Sequence, residues 1–135
     1  MSEPARLLSA QPVLKVMDVE RAFEFYARMG FRKHFQNMDL HLLIERDGII
    51  LHLATQMVAS PSACQIVVSD VEALYAQARQ ENVSMKHDMQ DEFWGCRDFT
   101  IEDPDGNFVT FSQPIPASGK AGMARTGTAG RFEIG

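Results

Sequence analysis

Cysteine is scarce in this chain: 135 residues hold only Cys64 and Cys96. Two thiols make no disulfide framework and stand in no zinc-ligand spacing. The expectation is a cytoplasmic protein with reduced cysteines. Long apolar runs are missing too. None approaches the ~20 residues that span a bilayer. The opening "MSEPARLLSAQP" has neither the basic end nor the long apolar block of a secretory signal. There is no GxGxxG dinucleotide fingerprint and no P-loop. Ser9, Ser60, Ser62 and Ser112 sit in no nucleophile motif. Charges of both signs surround Cys96, which gives no reason for an activated thiolate. Positive charge is also short. The net charge is −5, yet the segment 114–135 (Lys120, Arg125, Arg131, Glu133) is itself +2, which leaves −7 on the rest. An acidic body argues against direct binding to phosphate backbones and suits cationic small molecules, so neither nucleic acid nor, without a spanning run, a membrane is an expected partner.

What is present is an apolar fraction of 45%, enough for a core, and a repeat. "DVERAFEFYARMGF" begins at Asp18 and "DVEALYAQARQENV" at Asp70, 52 positions later. Each Asp can accept from the free amides of a first helical turn. Val19, Ala22, Phe23 and Tyr26 recur at helical spacing in one, and Val71, Leu74, Tyr75 and Ala78 in the other. Gly30 and Asn82 fall where each helix should stop, and both tolerate the left-handed conformation. A strand-like run precedes each helix, "PVLKVM" and "CQIVVS", and three follow it. Asp47-Gly48 joins the last two strands of the first half, a two-residue hairpin signal. Asp103-Pro104-Asp105-Gly106 joins the last two of the second, so this acidic turn has a structural purpose without catalysis. The spacing predicts two βαβββ modules, about 8–56 and 62–113, within one domain over 1–113. A Gly/Ala-rich tail occupies 114–135.

Side chains alternate across a strand, so the two faces can be read apart. Leu14, Val16, Leu42, Ile44, Leu51, Leu53, Cys64, Ile66, Val68, Phe99, Ile101, Val109 and Phe111 form an apolar set, expected under the helices. The opposite set is mixed: Gln11, Val13, Lys15, His41, Leu43, Glu45, Ile50, His52, Ala63, Gln65, Val67, Asp98, Thr100, Glu102, Phe108 and Thr110. If Asp47-Gly48 is a two-residue turn, Leu43 lies opposite His52, Glu45 opposite Ile50, and His41 diagonal to His52.

"PVLKVMDVERAFEFYARMGF" and "WGCRDFTIEDPDGNFVTF" carry a resemblance over about residues 8–114. The chain resembles the vicinal oxygen chelate superfamily, also called the glyoxalase/bleomycin-resistance/dioxygenase fold. The second stretch is similar to the WG-x-R-[ED]-F-x-[LI]-x-DP-x-GN pattern of the bleomycin-resistance branch. The resemblance implies an α+β fold in which the two modules form a curved eight-stranded mixed sheet. It also implies a homodimer with two clefts at its interface. Enzymes of the superfamily hold a divalent cation with His, Gln and Glu side chains, polarising two adjacent substrate oxygens. Carried over, the ligand positions fall on Gln11, His52, Ala63 and Thr110. Ala63 cannot donate and Thr110 is a poor ligand, so no metal and no cofactor are expected. Gln11 and His52 remain as a weak metal pair. A relocated site from His41, His52 and Glu45 belongs to an alternative reading, a metal-dependent enzyme of glyoxalase/lyase or dioxygenase type.

In the bleomycin-resistance branch the same fold binds a drug and does not transform it. Ligands with flat heteroaromatic rings and a cationic tail want aromatic faces and carboxylates. The expected ligand-binding residues are Trp94, Phe35, His41, Glu45, His52, Asp98, Phe108 and Thr110, with no catalytic residues. Glu45, Asp98 and Glu102 stand against Lys15 alone on the mixed face. The expected function is metal-independent sequestration of a small cationic aromatic compound, bleomycin-like or an unidentified metabolite. Arg97 is expected to anchor structure, and Phe132 and Ile134 to dock the tail on a neighbouring surface.

Overall fold

A computed structural model describes residues 4–6 and 8–115 of the chain. The tail contact expected of Phe132 and Ile134 lies outside the described residues. Ten elements follow in the order β1 (Val13–Lys15), α1 (Val19–Ala27), β2 (Arg32–Asn37), β3 (His41–Arg46), β4 (Ile49–Ala54), β5 (Ala63–Val67), α2 (Val71–Gln80), β6 (Met85–Asp91), β7 (Cys96–Glu102) and β8 (Phe108–Pro114). The βαβββ unit is thus written twice. Its eight strands form two four-stranded mixed sheets, ordered β1-β4-β3-β2 and β5-β8-β7-β6. In each, the first strand runs parallel to the last and the remaining pairs are antiparallel.

Both helices start as their sequences dictate. Asp18 accepts from the amides of Glu20 (2.9 Å) and Arg21 (3.2 Å), and Asp70 from that of Ala73 (3.0 Å). Positive φ follows each helix, at Gly30 (88°) and Asn82 (57°). In α1 the buried stripe is Val19, Ala22, Phe25 and Tyr26, with Phe23 only half-buried. The expected Phe23 yields to Phe25, which meets Tyr26 edge-on at 5.1 Å. In α2, Val71 and Ala78 are buried, while Leu74 and Tyr75 pack against the core from its margin. The apolar sheet face is covered as expected. Leu14, Val16, Leu42, Ile44, Leu51, Leu53, Phe99, Ile101, Val109 and Phe111 are buried, with Cys64, Ile66 and Val68 packed beside them.

The turns set the register. Asp47 (φ 54°) and Gly48 (φ 83°) make the two-residue turn, so Arg46 pairs with Ile49 and Leu43 with His52. The acidic turn after β7 does more than reverse the chain. Asp103 is 3% exposed, and its carboxylate accepts from Tyr26 Oη (2.8 Å), from the amides of Asp105 and Asn107 (both 2.9 Å) and from Asn107 Nδ2 (3.0 Å). Asn107 also donates to the Lys15 carbonyl (2.6 Å) and accepts from the Ser62 amide (2.8 Å). The turn of the second module therefore clamps α1 and β1 of the first. The side-chain polar atoms of Asp103 and Asn107 all have partners of the right kind, which is what burial requires, whereas Asp105 Oδ2 is buried without a partner among the described residues.

Candidate functional site

The faces turned away from the helices carry the mixed set of side chains. Cross-strand register sorts them into rows. On the first sheet, Lys15, Ala54, His41 and Asn37 form one row, Val13, His52, Leu43 and Phe35 the next, and Ile50, Glu45 and Arg32 a third. On the second, Ala63, Phe108 and Glu102 are followed by Gln65, Thr110, Thr100 and His87, then by Val67, Ser112, Asp98 and Gln90. The expected site residues divide between the two sheets. Phe35, His41, Glu45 and His52 stand on the first, and Asp98, Phe108 and Thr110 on the second, with Trp94 in the turn between β6 and β7.

His41 and His52 meet as the register predicts. His41 Nε2 lies 2.7 Å from His52 Nδ1, and His52 Nε2 lies 2.7 Å from Gln11 Oε1. Burial first, and His41 second, hold His52 below the usual histidine range. Phe35 reaches the same face through a β-bulge. Strict alternation from Arg32 would turn it under α1, but the extra residue between Lys33 and Phe35 sets it beside Leu43, 60% exposed. Glu45 is held at the hairpin end, where it accepts from Arg32 (3.0 Å) and from the Gly48 amide (2.8 Å). Those two bonds lower its carboxyl below the ordinary range, the Gly48 amide being the larger cause.

On the second sheet Asp98 is 7% exposed. Burial, and after it the hydrogen-bonded Glu92 carboxyl, push Asp98 up to about 7. Glu92 also accepts from Gln90 (2.9 Å). Asp98 does not pair with the adjacent Arg97. That guanidinium turns to the helix side, where it binds Asp91 and Glu72, as expected of an anchor. Thr110 is tied to Thr100 by a 2.7 Å hydroxyl contact. Trp94 is half-exposed and meets the more exposed Phe93 edge-on at 4.7 Å. Phe108 carries the Lys86 ammonium over its ring at 5.2 Å. Lys15 is therefore not the lone cation on these faces, because Arg32 and Lys86 join it. Glu92, Arg32 and Lys86 are the participants sequence reasoning missed. Lys86 sits in a bulge of β6 that breaks the two-residue period, Arg32 opens β2 ahead of its bulge, and Glu92 follows the end of β6.

The donor set does not fit a divalent ion. Ala63 has no donor atom, Thr110 is committed to Thr100, and both His52 nitrogens are engaged by His41 and Gln11. Glu45 is bound to Arg32 and Gly48, so it does not complete a relocated site with the histidines. Among the described residues no group of three or more His, Cys, Asp or Glu side chains is arranged to hold a metal. Neither thiol is activated: burial pushes Cys64 up to about 11 and raises Cys96 as well. A cleft of about 420 Å³ lies on the helix side between the modules, lined by Phe31, Arg46, Ile66, Leu74 and Phe111 among others. None of the expected site residues lines it. No helix among the described residues is long and apolar enough to cross a membrane.

Comparison with known proteins supplies the context. A bleomycin resistance protein of Geobacillus stearothermophilus is 25% identical, over 81% of this chain and 98% of the relative. The bleomycin-binding protein of the bleomycin producer Streptomyces verticillus, solved with copper(II)-bleomycin, is 29% identical. It superposes with a TM-score of 0.65 over 80% of this chain and 97% of that one. The bleomycin resistance determinant encoded on transposon Tn5 gives a TM-score of 0.71 at 22% identity, over 80% of this chain and 98% of that one. Residues 9–111 match the family model described as the Glyoxalase/Bleomycin resistance protein/Dioxygenase superfamily, and the chain belongs to that superfamily.

Proposed function

We propose that this protein binds a small cationic aromatic compound of the bleomycin type and sequesters it without chemical change, acting as a homodimer in the cytoplasm. The observation that carries the reading is the pairing of exposed aromatic faces with carboxylates on sheet faces whose donors do not suit a metal. Bleomycin-named relatives of similar length support it. Trp94, Phe35 and Phe108 are the proposed stacking platforms. Glu45, Asp98 and Glu102 supply negative charge, and His41, His52 and Thr110 supply polar contacts. The raised Asp98 carboxyl fits this role, since an arriving cation favours its ionised form. The protein carries no catalytic residue in this reading, because sequestration needs only stoichiometric binding.

The test uses the single tryptophan as its probe. Titration of purified protein with a bleomycin-family drug should change Trp94 emission saturably at micromolar concentration, with one drug per protomer by calorimetry. A flat titration in both assays removes the drug assignment. An unchanged calorimetric affinity in Trp94→Ala removes Trp94 from the site.

A further inference from the structure

The chain Gln11, His52, His41 sets the direction of its own hydrogen bonds. A neutral imidazole offers one N–H and one lone pair, so a ring that donates on one side accepts on the other. At the β1 end, Gln11 Oε1 stands 2.7 Å from His52 Nε2. An amide oxygen only accepts, so His52 Nε2 donates. His52 Nδ1 is then a lone pair, and His41 Nε2, 2.7 Å away, must donate to it. In the neutral pair the remaining lone pair sits on His41 Nδ1, which has no partner among the described residues and is not sealed from solvent. The cations on the same face are already committed. Lys15 donates to the Thr55 carbonyl, and Arg32 binds Glu45.

We propose that Gln11, acting through His52, fixes His41 as a hydrogen-bond acceptor on the open face of the first sheet. This half of the protein thereby selects ligand groups that carry N–H donors, such as amidinium or ammonium, over groups that only accept, such as carboxylate. The proposal rests on the binding role proposed above and deepens it. His41 touches the ligand. His52 and Gln11 are positioning residues, and their contribution is polarity rather than contact area. A ligand acceptor brought to His41 Nδ1 would face a lone pair, and one unmade or repulsive contact of this kind is worth about tenfold in affinity.

The first test needs no ligand. Long-range proton–nitrogen correlation of the imidazole rings in 15N-labelled protein at about pH 8, a pH above the ordinary histidine range, reports each tautomer. His41→Gln and His52→Gln assign the signals. Both rings should carry the proton on Nε2, and a proton on Nδ1 of His52 overturns the proposal. The second test reverses the polarity. Gln11 is exposed, so substitution there leaves the core intact. In Gln11→Lys the ammonium can only donate, which should invert both tautomers. In Gln11→Glu the carboxylate can only accept and should preserve them.

Benzamidine and benzoate, followed on the His41 ring signals, serve as donor and acceptor probes. Wild type and Gln11→Glu should favour benzamidine by about tenfold, and Gln11→Lys should reverse that order. If the reversal persists in the Gln11→Lys/His41→Phe double variant, now followed on neighbouring amides, through-space charge is its cause and the proposal falls. If neither probe perturbs the His41 ring, the acceptor role falls as well. A flat drug titration on Trp94 would sink the drug reading separately, since these outcomes are read on the first sheet.

Discussion

Replacing Tyr26 with Phe deletes one oxygen from the seam between the modules. In the native protein that hydroxyl donates to Asp103 Oδ2 at 2.8 Å, with Asp103 3% exposed and in no ion pair among the described residues. The carboxylate is stabilised by four donors, of which Tyr26 supplies the only hydroxyl. Burial first, then Asp103, raises the Tyr26 phenol well above its ordinary range, so it remains a donor across the working pH range. The Phe ring would keep the edge contacts to Phe25 and Phe31, at 5.1 and 6.0 Å, and open no cavity. What is lost is a hydrogen bond to a buried charge, worth about 2 kcal/mol. For a domain of this size that is a fall in Tm of about 8 °C. Tyr75→Phe is the matched control. It removes the same atom from an exposed contact with Asp88, where water replaces the bond, so the shift should stay within about 2 °C. Thermal unfolding by circular dichroism, with a parallel urea melt on Trp94 emission, measures both. Equal shifts in the two variants would refute the claim that burial of the Asp103 network holds the modules together.

Two further outcomes follow from groups whose setting is equally defined. Asp98 is raised to about 7, so between about pH 4 and pH 7 the folded chain binds more protons than the unfolded one and stability falls as pH rises. Asp98→Asn removes this titration. Relative to wild type it should gain stability between urea melts at about pH 4.5 and about pH 8, and an equal difference at both values would contradict the assignment. At the first hairpin, Gly48 has φ 83° and open space where a Cβ would stand. Gly48→Ala should therefore cost about 1–2 kcal/mol from backbone strain alone. An unchanged urea midpoint would mean the turn relaxes to another type.

Much of the fold was legible because its determinants are local. The repeated Asp-Val-Glu starts, the Gly30 and Asn82 stops and the Asp47-Gly48 turn are each decided by a few neighbouring residues. The His41–His52 meeting was legible too, because a two-residue turn fixes register for the whole hairpin. The candidate site was less so. Phe35 reads as core or platform from sequence, and only the bulge before it decides for the open face. Arg97 and Asp98 are adjacent and opposite in charge, yet they point to opposite faces and choose different partners.

The sequence by itself determined the two modules, their turns and the apolar face of each sheet, since backbone preference and hydrophobic period act over a few residues. Only the tertiary structure decided that Tyr26 would serve Asp103 across 77 positions, that Glu92 would sit against Asp98, and that Lys86 would cover Phe108. Those partnerships depend on which strands lie side by side and where a bulge slips the alternation. Charge and polarity at the open faces follow from that packing and from no local rule.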